Sequence, residues 1–402
     1  MRIAGAFTIL FLLAACGGVT HGPPLTSGSD KLFEATAGHI VVIDSRSHAT
    51  DRTLPLGVPS ADWKHLYSIA GTNLFDTNPA SGATATTIPL GGKYVLPAAT
   101  IGGLPGGLSP NGRWLVAESY DGAAGAVPTS SRLLIVDTIA ARPFKTIDLA
   151  GYFHYDAISN DGMRLYLIQY LDGREYYVRL YDVVTGTLDE NIVVDKSNGE
   201  QSMSGQRLSG VAAPAGNWLY SMYVRQDANP FIHALSLDGP FAFCLDLPGN
   251  GYAGNEAERH WSLAMNTGGT RLYAVNGATG LLAVVDSSQE FNPQIVRTQH
   301  IAGGKPAAAG ANAAVLSSDG RSLVTAGATG IVWVDTGSLA VRMHALDGWN
   351  VWSLALSPDG ATVYAVRDNG QISAVSMSSG SVTSTFDPTS GRPLALMRVA
   401  SA

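Results

Sequence analysis

One short phrase recurs along this chain of 402 residues, and its spacing limits what the chain can fold into. The clear copies are Ser109-Pro-Asn-Gly-Arg-Trp-Leu-Val, Ser159-Asn-Asp-Gly-Met-Arg-Leu-Tyr, Ala213-Pro-Ala-Gly-Asn-Trp-Leu-Tyr, Asn266-Thr-Gly-Gly-Thr-Arg-Leu-Tyr, Ser317-Ser-Asp-Gly-Arg-Ser-Leu-Val and Ser357-Pro-Asp-Gly-Ala-Thr-Val-Tyr. A worn copy, Ser60-Ala-Asp-Trp-Lys-His-Leu-Tyr, precedes them. The fourth residues stand at 63, 112, 162, 216, 269, 320 and 360, so the steps run from 40 to 54 residues. Each copy pairs turn residues with an apolar, β-prone run. Pro presets φ, Asp can bond its own backbone, and Gly accepts the left-handed conformation. A period of this length with this turn chemistry predicts four-stranded propeller blades.

The last unit shows the grammar. Val351-Trp-Ser-Leu-Ala-Leu reads as an inner strand, and Ala361-Thr-Val-Tyr-Ala-Val as a second strand after the turn. Asp368-Asn-Gly makes a hairpin, Gln371-Ile-Ser-Ala-Val-Ser is the third strand, and Ser381-Val-Thr-Ser-Thr-Phe is the outer edge. Third strands close on aspartates, as in Arg132-Leu-Leu-Ile-Val-Asp and Leu281-Leu-Ala-Val-Val-Asp, which read as turn-formers rather than ligands. An eighth inner strand, Pro393-Leu-Ala-Leu-Met-Arg-Val, ends the chain, while Leu32-Phe-Glu-Ala, His39–Asp44 and Thr53-Leu-Pro-Leu begin it without an inner partner. The C-terminal strand therefore completes the N-terminal blade. The expected fold is all-β, a single ring of eight blades; discounting the worn copy would leave seven.

The two ends address the chain. Arg2 and the apolar run from Ile3 to Leu13 read as an export signal, too short to span a bilayer, which needs about 20 residues. Leu13-Ala-Ala-Cys16-Gly17 resembles a bacterial lipobox, which implies lipidation of Cys16. The domain plan is a signal peptide at 1–15, a Gly/Pro/Ser tether at 16–30, and the propeller at 31–402. The expected location is outside the cytoplasmic membrane, periplasmic or at the cell surface, with the membrane met through the lipid alone. Cys244, in Phe241-Ala-Phe-Cys-Leu-Asp-Leu, then has no disulfide partner and reads as a buried core thiol.

Charged residues make up 14% of the chain against a usual ~25%, and there are 46 Gly. Helix-forming Lys and Glu have given way to turns. A net charge of −7 without a basic block argues against nucleic-acid binding. Paired-Cys metal spacing, His-Glu-x-x-His, Gly-x-Ser-x-Gly and phosphate loops are all missing from the sequence. Gly102-Gly-Leu-Pro-Gly-Gly reads as a glycine-rich entry to an inner strand.

Leu356-Ser-Pro-Asp-Gly-Ala-Thr-Val-Tyr-Ala-Val, with Gly330-Ile-Val-Trp-Val-Asp-Thr-Gly, resembles the YVTN/lactonase-type propeller repeat and the Pro-Asp repeats of TolB-like propellers. The resemblance covers nearly everything after residue 30 and implies the propeller fold. Such propellers include lactone hydrolases, amine dehydrogenase subunits, surface-layer proteins and scaffolds, so it leaves function open.

Propeller sites lie at the channel mouth, on loops that enter the inner strands. Those loops carry His154 and Asp156, Arg207, the run Glu256, Glu258, Arg259 and His260, then Asn312, Asn350 and Trp352. His154 or His260 could act as a general base, Arg207 or Arg259 could hold an anion, and the glutamates could recruit a hard divalent cation. The alternative is that polar residues line a wet channel. No cofactor is expected. The leading expectation is a lipid-anchored binding or scaffold module for a partner protein or an envelope component. Its competitor is a periplasmic hydrolase or lactonase acting at the mouth.

Overall fold

Each copy of the repeated phrase closes on its own hydrogen bonds. The Ser109 hydroxyl donates to Asn111 at 2.7 Å and accepts the Trp114 amide at 3.0 Å. Ser357 does the same with Asp359 and the Thr362 amide, and the worn copy repeats it from Ser60 to Asp62 and His65. The fourth residue is left-handed in every copy, with φ +76° at Gly112 and +74° at Gly162. Trp63 holds the same conformation at +57° in the worn copy, where glycine has been lost.

The computed structural model describes residues 29–121, 127–171, 174–196, 202–289, 292–301, 313–327, 330–387 and 393–402. The export signal, Cys16 and most of the tether lie outside these residues, as does Asn312. Eight sheets, antiparallel apart from a short parallel pairing of Val194–Asp195 with Phe241–Asp246, follow one another around a ring, an eight-bladed β-propeller. Blade 1 is Asp30–Ala35, His39–Asp44 and Thr50–Pro55, with the C-terminal strand Ala395–Ser401 as its innermost member. That closing strand runs antiparallel to the first, with Leu32 opposite Val399 and Ala35 opposite Ala395. The blade count and the mode of closure are those expected from the repeat.

Hydrophobic burial explains why the blades stack. The described core is divided into eight clusters, and each lies between two consecutive blades. Between blades 3 and 4, for example, Leu133 and Ile135 face Phe153, Leu165 and Leu167. A fully buried side chain of this size contributes about 1.5–3 kcal/mol. A single blade offers two apolar faces and can bury neither alone. The period-marking aromatics Trp114, Tyr166, Trp218, Tyr220, Tyr273 and Tyr364 are all buried in these seams.

Blade 3 and Cys244 differ from the plan read in the sequence. Blade 3 has only three paired strands, Trp114–Tyr120, Ser130–Asp137 and Arg142–Ala150. Its inner position is taken by single bridges from Val95 and Leu108 to Glu118 and Leu115, on either side of a short hairpin at residues 97–106. Pro97 and Pro105 cannot donate to a ladder, so the glycine-rich segment expected to lead into a strand folds back on itself instead. Cys244, expected in the core, is half-buried; burial and the neighbouring Asp195 push its thiol well above the usual range.

The third-strand aspartates cap turns. Asp286 accepts the Ser288 hydroxyl at 2.6 Å, pairs with Arg271 at 2.5 Å and accepts the Ser288 amide at 3.0 Å, and these hold its pKa down to about 2. A carboxyl depressed in the folded state stabilises above its unfolded value near 3.8, and that stability fades as pH falls toward 2. Asp286→Asn should therefore flatten the acid limb of a denaturant-midpoint profile between pH 4 and 2; an unchanged limb would refute the assignment. The turn glycines make a second check. An added Cβ at Gly112 meets nothing nearer than Ser60 at 3.8 Å, whereas at Gly162 it would overlap the Trp114 indole. Gly112→Ala should cost about 1–2 kcal/mol for backbone strain alone. Gly162→Ala should cost clearly more in urea titrations.

Candidate functional site

The inner strand of blade 4, Phe153–Ile158, and that of blade 5, Gln206–Ala212, enter the ring side by side at the mouth. Both carry a register shift near their start, between Tyr155 and Ala157 and between Arg207 and Ser209. Such bulges re-aim side chains. Asp156 is the bulged residue of blade 4, and its carboxylate, 1% exposed, meets the Arg207 guanidinium at 3.1 Å. His154, one turn of the pleat earlier, lines with Arg207 a cavity of about 320 Å³. Three of the residues expected from sequence therefore converge.

Behind His154 stands Glu118, from the second strand of blade 3 and 1% exposed. Its carboxylate lies 3.0 Å from His154 Nδ1 and accepts the Tyr120 hydroxyl at 2.8 Å and the Tyr155 amide at 2.5 Å. Burial disfavours the His154 imidazolium, but Glu118 outweighs it and the pKa is raised. Burial and the same carboxylate push the Tyr120 phenol far up, so it remains a donor. Three other inner-strand amides in the ring, those of Phe153, Ala313 and Leu396, are bonded by neutral serines, Ser131, Ser262 and Ser353. Joining blades thus needs no charge, and the charge at Glu118 serves His154.

Sequence reasoning passed over Glu118, yet a signal existed. At its place in the repeat the other second strands carry Ile69, Ile168, Met222, Val275, Ala326 and Val366. A carboxylate in a column of apolar residues marks a local demand that the fold itself does not make.

Tyrosines surround the pair. Tyr120, Tyr152, Tyr170, Tyr176 and Tyr223 form a continuous run of ring contacts from blade 3 to blade 5, closest between Tyr152 and Tyr170 at 4.6 Å. Tyr170 is 40% exposed and presents the run to solvent. Several buried polar atoms here have no hydrogen-bond partner among the described residues: Thr100 Oγ1, Asp156 Oδ2, Gln206 Oε1, Arg207 Nε and Ser209 Oγ. Each such atom costs about 1–3 kcal/mol when left unpaired. Other buried polar atoms without a partner among the described residues, such as Trp261 Nε1, Thr279 Oγ1 and Trp333 Nε1, lie in other blades.

The remaining candidates fall elsewhere. Glu256, Glu258 and Arg259 form a single 3-10 turn, Glu256–Arg259, capped by Asn255. Arg259 pairs with Glu256 at 3.6 Å and lies 3.9 Å over the Tyr252 ring. Glu258 is buried with Oε2 unpartnered among the described residues, and His260 is buried beside it in the chain. No described hydrogen bond or ion pair joins this turn to His154 or Arg207. The nearest link is a cleft of about 540 Å³ that reaches from Gln206 to Tyr252. Asn350 donates to Asp368 at 3.1 Å, and the Trp352 indole donates to the Leu394 carbonyl at 2.9 Å beside the closing strand. The first bond lies within blade 8, and the second ties blade 8 to the approach of the closing strand. Among the described residues no three His, Cys, Asp or Glu side chains gather as a metal-sized cluster, and no helix is long and apolar enough to cross a membrane.

No family model matches the sequence, and no curated protein matches it. Among solved structures the chain is similar to the dihydro-heme d1 dehydrogenase NirN in complex with DHE, 14% identical, with a TM-score of 0.53 over 92% of this chain and 76% of that one. It is also similar to the Pseudomonas aeruginosa periplasmic gluconolactonase PpgL, 17% identical, TM-score 0.44, over 92% and 98% of the two chains. A putative 6-phosphogluconolactonase from Bacteroides uniformis is 14% identical, TM-score 0.40, over 92% and 98%. At these identities the likeness is one of fold.

The raised His154 pKa gives a signed expectation. A histidine whose folded pKa exceeds 6.5 adds stability that is complete below that value and is lost as pH rises through the folded pKa. His154→Gln should thus lower the denaturant midpoint most below pH 6.5, with the gap closing above it. A gap that widens with pH would contradict the Glu118 pairing.

Proposed function

We propose that this chain is an exported, lipid-anchored β-propeller that works as a binding module, with the mouth between blades 3 and 5 as its binding site. The ligand is a ring-bearing anion, either a small molecule or such a group displayed by an envelope component or partner protein. One observation carries the reading: at this mouth a histidine biased toward its cationic form, an arginine and an arc of tyrosines meet unpaired buried polar atoms. Cationic donors suit a carboxylate, and aromatic faces suit a ring. The lipid anchor rests on the Leu13-Ala-Ala-Cys16 stretch.

Calorimetric titration with 3-phenylpropionate, against the uncharged 3-phenylpropanol, tests this. The anion should bind and the alcohol should not. Tyr170→Ala, at a half-exposed ring, should weaken binding by up to about tenfold, the range of one lost ring contact, and His154→Gln by at least about tenfold, the range of one lost charge-assisted bond. Binding should weaken as pH rises through the His154 pKa. Equal affinity for acid and alcohol would end the reading.

A second reading, hydrolysis at the same mouth, is favoured by the Glu118–His154–Tyr120 constellation, which places a charge-biased imidazole beside an open cavity as acid–base chemistry requires. Lactone or ester turnover abolished by His154→Gln would favour it over binding alone.

A further inference from the structure

The hairpin that displaces the inner strand of blade 3 lies across the mouth. It is held together by its own bonds, Ala99 amide to Leu104 carbonyl at 2.8 Å and Gly106 amide to Pro97 carbonyl at 2.7 Å. It reaches the far side through one backbone bond, from the Ile101 amide to the Arg207 carbonyl at 2.9 Å. Its other polar contact is the Ala98 carbonyl, 3.4 Å from His154 Nε2. The tip, residues 101–103, is exposed, Ile101 by 56%, whereas Ala99, Thr100, Leu104, Pro105 and Gly106 are half-buried and Pro97 is buried. Gly106 and Gly107 form its returning leg, and Gly107 at φ +103° is a conformation that only glycine adopts freely.

Beneath the hairpin is a second cavity, of about 220 Å³. Ala99, Tyr155 and Arg207 line both this cavity and the outer one, so they are the wall between them. Asp156 faces the inner cavity. Two of the unpaired atoms, Asp156 Oδ2 and Arg207 Nε, belong to residues that line this cavity. One is an acceptor and the other a donor. A hydroxyl can accept from a guanidinium N–H and donate to a carboxylate oxygen.

We infer that residues 97–106 are a lid over one ligand site made of both cavities, and that the ligand is an aromatic hydroxy acid whose hydroxyl enters the inner cavity between Arg207 and Asp156. The inference rests on the mouth reading above. The ring and carboxylate occupy the outer cavity against the tyrosines and His154, and the lid closes behind them by remaking the Ile101–Arg207 bond.

Hydrogen exchange on the full chain tests the lid without any ligand. Amides of residues 97–106 should exchange about a hundredfold faster than those of Ser130–Asp137 in the same blade, because local opening needs far less free energy than global unfolding. Adding 3-phenyllactate should slow the hairpin at least about tenfold, and 3-phenylpropionate, which lacks the hydroxyl, should slow it less. A hairpin as slow as Ser130–Asp137 would overturn the lid. Binding of either acid with no change in hairpin exchange would also overturn it and leave the mouth reading intact. Equal slowing by the two acids would overturn the hydroxyl subsite. A fast hairpin with neither acid bound would instead remove the mouth reading, and with it the ligand assigned here.

Discussion

A propeller blade cannot bury its faces alone, so every blade here depends on two neighbours, and the chain of dependence has to close. Closure is made by one antiparallel pairing, Asp30–Ala35 with Ala395–Ser401, which joins the two ends of the described chain. Without it blades 1 and 8 would each present an apolar face to water, the seams represented by Leu32, Val366, Leu396 and Val399. The Trp352 indole and the Tyr364 hydroxyl brace the same seam, through the Leu394 carbonyl and the Asp30 carboxylate. Everything at the mouth is positioned by this ring, because the distance between blades 3, 4 and 5 is set by how eight wedges fill a circle.

The repeat also provides an internal reference. Where six other second strands share an apolar column, the one that places Glu118 there breaks the pattern at a cost, since a buried carboxylate has to be compensated in full. Three hydrogen-bonding partners provide that compensation, and one of them is the histidine that faces the cavity. The blade that breaks the pattern is also the one that gives up its inner strand for the hairpin. Two irregularities in one blade, both directed at the same mouth, support the proposal of a built site over the wet lining that any channel would have.

Of the candidate residues, His154, Asp156 and Arg207 were legible because their offset from the turn places them at the entry of an inner strand. Asn350 and Trp352 satisfy the same rule and bond to Asp368 and to the Leu394 carbonyl, contacts that offset alone does not report. The Glu256–His260 run looked rich by composition, but it folds as a separate 3-10 turn whose Arg259 is occupied by Tyr252 and Glu256. Glu118 was legible only by comparing blades with one another. The tyrosine arc was not legible, as its members come from strands of three different blades.

The sequence by itself determined the turn chemistry, the eight-blade count and the closure of the ring, because these follow from local φ preferences and a fixed spacing that each repeat states again. Only the tertiary structure decided that Glu118 lies against His154, that Asp156 and Arg207 keep unpaired atoms, and that residues 97–106 cover the cavity between them. Those are contacts between segments up to about a hundred residues apart. They depend on the angle and separation of neighbouring blades, which no single repeat encodes and which exist only once the ring has closed.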